Sequence, residues 1–225
     1  QRQMCIRDRK VCHAYGVSIN EYLVAVYVWS VYTECMHGMP SERPVRVAVP
    51  VNLRPYFNSI TTKNFFVMVS AEFHPTKEIY TFEEVLKSVS ESLRSQISRE
   101  NLEKLFSYNV SNEKLLAARI VPLFLKNLAM RYVYTTSALA NTATVTNIGN
   151  ISVSEEYRPY VEMFHAFLAM SKGQHLKGTI CSYGDTLVFS FSYDLTDTSV
   201  QRGFFRKIAA DGIAVEIETN GVNYE

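Results

Sequence analysis

One stretch, Val45-Arg-Val-Ala-Val-Pro-Val-Asn-Leu-Arg54, constrains the fold of this chain more than any other. Its dense valines predict a buried strand over Val45–Val51, closed by the polar Asn52 and Arg54. A guanidinium carried just past a buried strand is held in place and is well suited to bind something anionic. Ten residues after Arg54, Asn64-Phe-Phe66 opens a second predicted strand over Phe65–Phe73. Much later, Val145-Thr-Asn-Ile-Gly149 repeats the design, an apolar strand that ends on a small polar turn.

Around these strands the helix signals are local and clear. Lys10–Tyr15 reads as a helix tail stopped by Gly16, and Ser18 with Glu21 has capping-box spacing for a helix to about His37. That helix is apolar nearly all round (Tyr22, Leu23, Val26, Tyr27, Trp29, Val31), so it should be central to its domain or covered by a further partner. Thr81 and Glu84 form a second capping box, for a helix to about Ser98. A polar helix near Asn101–Tyr108 leads into a long helix over Asn112–Tyr134, kinked or restarted at Pro122. Short strands are expected at Ala143–Thr146, Glu162–Met170 and Ala214–Glu218, with a hairpin of Thr179–Ser182 and Leu187–Tyr193 about Tyr183-Gly-Asp185. Thr196 should cap a last helix that Asp211-Gly212 ends. Helices and strands intermingle without repeats, so the chain reads as a single α/β domain around a mixed sheet.

Composition narrows the function. The 225 residues can bury a sizeable core, and 47% hydrophobic with 20% charged residues is an ordinary globular balance. With 23 basic and 22 acidic residues, spread without long runs, nucleic acid is not an expected partner. The apolar stretch Ile120–Met130 is broken by Pro122 and Lys126, so it reads as a buried helix and no membrane span is expected. Cys5, Cys12, Cys35 and Cys181 have no paired spacing, which fits reduced, buried thiols in the cytoplasm. Residues 1–9 are foreign in character: Met4-Cys-Ile-Arg-Asp8 reads back into ATG TGT ATA AGA GAC, the mosaic end of a transposon used to prepare sequencing libraries. The expectation is an adapter artefact over 1–9, with natural sequence over 10–225.

Self-contained catalytic machinery is not visible. The chain holds no G-x-S-x-G, P-loop, Rossmann glycine pattern or H-E-x-x-H, and its five histidines (His13, His37, His74, His165, His175) are scattered. His165, in Met163-Phe-His-Ala-Phe167, reads as a satisfied histidine in or beside the core, and His13 as a surface residue. Arg54 keeps two readings from its residues alone, an exposed strand end or an anion-binding group. Asn52 and Asn64 read as turn formers or binding groups. Thr146 and Asn147 read as a strand exit or as a hydroxyl and an amide that could donate to a developing oxyanion.

Taken in order, the Ser18-Ile-Asn-Glu21 helix start, Pro50-Val-Asn-Leu-Arg54, Asn64-Phe-Phe66, Thr146-Asn-Ile-Gly149 and the terminal hairpin and helix resemble one known family. They are similar to the second half of CoA-dependent acyltransferases of the chloramphenicol-acetyltransferase-like fold, in the condensation-domain superfamily and nearest its bacterial alcohol-acetyltransferase-like branch. The resemblance implies an α/β architecture with a mixed sheet flanked by helices, one half of a two-domain fold. It implies acyl-CoA as co-substrate with no bound cofactor, a hydroxyl acceptor as partner, and a base in the H-x-x-x-D motif of a missing N-terminal half. It places Arg54 against the aspartate of that motif, Asn52 and Asn64 beside the substrate channel, and Thr146 and Asn147 near the reacting carbonyl. Lys63 stands where the family keeps a glycine before Asn64, and the plant enzymes' Asp-Phe-Gly-Trp-Gly is absent. No catalytic residue is expected in this chain, which should be inactive alone. Two other readings stay open: a binding or scaffold relative that lost the base, and a peptide-synthetase condensation domain that uses carrier-protein thioesters.

Overall fold

Both capping boxes form, and they start the helices that carry the core. The computed structural model describes residues 10–114, 121–171 and 173–220, so the 1–9 segment read as an adapter lies outside the described residues. Residues 10–15 are helical and end at Gly16, whose φ of +69° is the left-handed turn that glycine permits. Ser18 Oγ accepts from Glu21 N–H while the Glu21 carboxylate accepts from Ser18 N–H, opening α1 (Ile19–Ser30). A π-helical turn, Val31–Cys35, extends it. Thr81 and Glu84 do the same for α3 (Phe82–Gln96).

Between and beyond these lie β1 (Val45–Asn52), a one-turn α2 (Arg54–Phe57), β2 (Phe66–Phe73), α4 (Arg99–Lys114) and α5 (Leu123–Leu139). β3 (Ala143–Asn150), β4 (Leu176–Tyr183), β5 (Thr186–Tyr193) and α6 (Ser199–Ala210) complete the described elements. The five strands make one sheet in the order β2-β1-β3-β4-β5. β1 pairs antiparallel with β2 from Val45 beside Phe73 to Asn52 beside Phe66, and parallel with β3 at Val47–Ala143 and Ala48–Thr144. β3 and β4 are parallel, and β4 and β5 form the expected hairpin, turning at Gly184 with φ +58°. The mixed sheet flanked by helices is therefore the observed architecture.

α1 lies at the centre, packed against α3, α6 and β1. Its Val24, Ala25, Val26, Tyr27 and Val28 are all 0% exposed, which explains a helix with no polar face. From α3, Phe82, Val85, Leu86, Val89 and Leu93 follow the helical repeat into the same core. Phe204 of α6 packs tilted against Phe189 and edge-on against Phe191 of β5. Gly178 is required beneath them: a Cβ there would lie 2.7 Å from the Phe189 ring. Tyr22, Lys207 and Asp211 tie the end of α6 to α1, with Tyr22 Oη donating to Asp211 at 2.6 Å and Lys207 Nζ at 2.5 Å.

Several expectations fail. Glu162–Met170 and Ala214–Glu218 form no ladder, so neither is a strand. The first instead crosses the outer face of β4, where Lys177 Nζ donates to Ala169 O and Ser171 Oγ, and Cys181 Sγ to Phe164 O. Pro122 does restart the Asn112–Tyr134 helix, standing at the N-cap of α5, while α4 is described to Lys114 and residues 115–120 lie outside the described residues. α5 is not buried, however, since all its described side chains except Lys126 are exposed. The last helix starts at Ser199, not after Thr196, and Asp197 accepts from Ser199 N–H. Cys12 and Cys181 are buried as expected, whereas Cys35 is exposed and Cys5 lies outside the described residues. His165 is not enclosed either: its side chain is 39% exposed and sits 3.8 Å from Glu218.

Candidate functional site at the carboxyl ends of the parallel strands

Because β1, β3 and β4 are parallel neighbours in register, the ends of β1 and β3 leave the sheet on the same edge. The β1–β3 ladder is paired at Val47 and Ala48, and past it the two strands part from each other while β1 stays paired with β2 and β3 with β4. Pro50, with no N–H to give, stands where β1 has left β3, beside Met68 of β2. A crevice outside the carboxyl ends of parallel strands is where open α/β sheets bind ligands.

Arg54 organises the β1 side of this edge. Its backbone N–H donates to Asn52 Oδ1 at 3.1 Å, and its Nη1 donates to the same oxygen at 3.2 Å. Nε reaches Thr61 O at 2.9 Å and Nη2 reaches Lys63 O at 2.7 Å. The guanidinium thus folds the 58–63 loop around itself, after Asn58 has turned the chain with φ +48°. A guanidinium has five N–H groups, so one on each Nη lies outside these bonds. These two form the end of the fork suited to a carboxylate. Sequence reasoning identified the residue but not its loop partners, because Thr61 and Lys63 act through backbone oxygens that any side chain would supply. Asn52 is exposed and serves Arg54. Asn64 is exposed two residues before β2, while Leu53 N–H donates to Phe65 O at 3.0 Å and closes the loop beneath it.

On the β3 side, the register shifts between Asn147 and Gly149, a bulge that Gly149 allows with φ +84°. Asn147 Oδ1 accepts from Gly149 N–H at 2.8 Å, which turns the amide nitrogen outward to Asn20 Oδ1 at 3.5 Å. Thr146 is half-buried and paired with Thr179 in the ladder, so it points away from its neighbour Asn147 along the pleat. Asn20 was not singled out by sequence reasoning. Its sequence signal is its place inside the Ser18-Ile-Asn-Glu21 helix start, whose capping box fixes it in the first turn of α1.

The α1 start is itself clamped. Arg94 Nε donates to Glu21 Oε1 at 2.6 Å, and its Nη2 reaches Gly16 O at 3.0 Å. Burial alone would push the Glu21 carboxyl up, but Arg94 and the Ser18 N–H outweigh it and hold the carboxyl below its ordinary value. Among the described residues no cluster of His, Cys, Asp or Glu could hold a metal ion, and no helix is long and apolar enough to cross a membrane. The site therefore offers hydrogen-bond donors and a fixed positive charge.

No family model and no curated protein matches the sequence. Solved structures do match. The nonribosomal peptide synthetase FmoA3 aligns over 99% of this chain and 23% of its own, at 16% identity and a TM-score of 0.60. The epimerization domain of tyrocidine synthetase B aligns over 94% and 46%, at 11% identity and a TM-score of 0.56. Wax ester synthase/diacylglycerol acyltransferase from Marinobacter aquaeolei VT8 aligns over 93% and 47%, at 16% identity and a TM-score of 0.49. The chain spans about half the length of the latter two. The resemblance in motif order and the three-dimensional match agree on the fold: the chain has a condensation-domain-like, chloramphenicol-acetyltransferase-like α/β fold and covers about half the length of the tyrocidine synthetase domain.

Proposed function

We propose that this chain is the C-terminal half of an acyl-CoA-dependent O-acyltransferase that acts on an alcohol hydroxyl in the cytoplasm. One observation carries the reading: Asn52 with Arg54 just past it, and Asn147, stand at the carboxyl ends of two parallel strands, on one edge of a fold shared with acyl-transfer proteins. In the complete enzyme a histidine on the other half takes the proton of the acceptor hydroxyl. The alkoxide oxygen then bonds to the thioester carbonyl carbon, whose π electrons move onto the carbonyl oxygen. The C–S bond breaks as that oxygen re-forms its double bond, and CoA leaves as a thiol with the proton returned by the histidine. Arg54 serves the step indirectly, its two outer N–H groups binding the aspartate that shapes the histidine's loop. The Asn147 amide nitrogen, one of whose N–H groups is directed to Asn20 Oδ1, gives its other N–H to the carbonyl oxygen while that oxygen carries charge in the complete enzyme. Asn52 and Asn64 line the acceptor route.

Alone, the chain lacks the base and should transfer no acyl group. The test is to join the natural upstream coding sequence and measure release of CoA thiol with acetyl-CoA and short alcohols. Arg54→Ala should then lower kcat about 100-fold or more, and Arg54→Lys should not restore it, because an ammonium cannot replace the fork. A fully active Arg54→Ala enzyme would remove the clamp role. Activity with acyl-carrier protein and none with acyl-CoA would favour a donor of the peptide-synthetase kind, a reading supported by the matches to those assemblies.

A further inference from the structure

We propose that Ser171 and Lys177 form a nucleophile–base pair, a hydrolytic site at which an ester passes its acyl group to Ser171 Oγ and then to water. This does not rest on the acyl-transfer reading, which needs a histidine on another half and serves an alcohol acceptor. Lys177 lies in β4 with only 8% exposure, and a lysine is almost never that buried without a charged partner. The partners it has among the described residues, Ala169 O at 2.8 Å and Ser171 Oγ at 2.6 Å, are both neutral. An ammonium donates to both. In the amine form one N–H still goes to Ala169 O, while the second bond reverses and the lone pair takes the hydroxyl proton of Ser171. That contact, a base within hydrogen-bond reach of a serine, is what activates the hydroxyl.

The surroundings supply the other parts of a site. A tight turn fixes the serine: Gln174 N–H donates to Ser171 O at 3.1 Å, and Gly173 turns the chain with φ +88°. Ser171 is half-buried there, in front of a base shielded from water. Phe167 and Met170, 68% and 36% exposed, precede it and offer apolar surface to a short acyl group. Thr144, the ladder neighbour of Lys177, donates to Gln174 Oε1 at 3.1 Å, which leaves the Gln174 amide nitrogen as donor to an oxygen that gains charge. In the step, Ser171 Oγ bonds to the ester carbonyl carbon while its proton passes to Lys177 Nζ and the π electrons move onto the carbonyl oxygen. The double bond then re-forms, the C–O bond to the alcohol breaks, and Lys177 returns the proton to the leaving oxygen. Water removes the acyl group by the same path.

Labelling of the 225-residue chain with a fluorophosphonate, read by peptide mass spectrometry, tests the pair. Here Ser171 Oγ bonds to phosphorus in place of carbon, and fluoride leaves with the proton. The expected result is one label per folded chain, on Ser171, and none on Ser171→Ala. Lys177→Arg keeps a cation that can donate but cannot take the proton, so it should slow labelling by about 100-fold or more with unchanged far-UV circular dichroism. Lys177→Met fills similar space without a lone pair on nitrogen and should be as slow, which keeps the base role open to test if the arginine variant fails to fold. Three outcomes would each overturn the proposal: an unlabelled wild-type chain, a label that survives Ser171→Ala, or wild-type labelling rates in either folded Lys177 variant. None of them touches Arg54 or the transfer to an alcohol, so the two readings fail separately.

Discussion

α1 and α5 are built from nearly the same kind of sequence and end in opposite surroundings. Both are apolar all round, with Val, Leu, Tyr and Ala dominating α1 and Leu, Phe, Met, Tyr and Val dominating α5. Yet residues 24–28 of α1 have no exposure at all, while α5 exposes Leu128 and Tyr132 by 67% and 74%. An apolar helix states that it must be covered; it does not state by what. α1 finds α3, α6 and β1 within the same chain. α5 has no such enclosure among the described residues, which is why its burial could not be read from its composition.

The sharpest way to break this contrast is truncation in α1. Tyr27→Ala removes a fully buried ring that stacks on Phe191 and whose hydroxyl donates to Leu176 O at 3.3 Å. Chemical denaturation should show a loss of about 3–5 kcal/mol, the range for aromatic truncation in a packed core. A loss under about 1 kcal/mol would mean α1 is not the centre of the fold.

Asp211→Ala should be next. It strands the Tyr22 hydroxyl and leaves the Lys207 ammonium, with a side chain only 16% exposed, without its carboxylate. The expected loss is about 2–3 kcal/mol, and Asp211→Asn should recover part of it by still accepting from Tyr22. Equal stabilities of the wild type and the alanine variant would show that α1 and α6 need no polar tie.

What was legible follows the same division between local and distant causes. The Ser18–Glu21 and Thr81–Glu84 boxes and the Gly184 turn are decided within a few residues, and all appear where the sequence places them. Glu162–Met170 has a strand's composition, but a strand exists only through a ladder partner, and Lys177 and Cys181 hold this segment by side chains instead. The candidate site divides in the same way. Arg54, Asn52 and Asn147 stand out as polar residues at strand ends. The carbonyls of Thr61 and Lys63, and the bulge that brings Asn147 to Asn20, arise only once loop and register are set.

The capping box at the α1 start makes a smaller, pH-dependent prediction. Glu21 keeps its carboxyl below the ordinary value in the folded chain, so unfolding takes up a proton as the medium turns acid. Its contribution is present in full above the ordinary carboxylate range and is lost as pH falls through the folded value. Urea midpoints should therefore separate wild type from Glu21→Gln at neutral pH and converge at about pH 3. A separation that persists in acid would assign the effect to side-chain shape, not to charge. Ser18→Ala, which removes the hydroxyl half of the box, should cost about 1 kcal/mol at neutral pH.

The smallest effect belongs to α5 and sharpens the opening contrast most. In dilute solution Leu128→Ala should change stability by no more than about 0.5 kcal/mol, because a side chain already 67% exposed loses little on truncation. The same kind of change costs several times more at a buried leucine, about 2–5 kcal/mol. Chemical denaturation of Leu128→Ala beside Leu93→Ala, whose leucine is 1% exposed in α3, reads the two surroundings directly. Equal losses at the two positions would mean that α5 is covered as well as the core is.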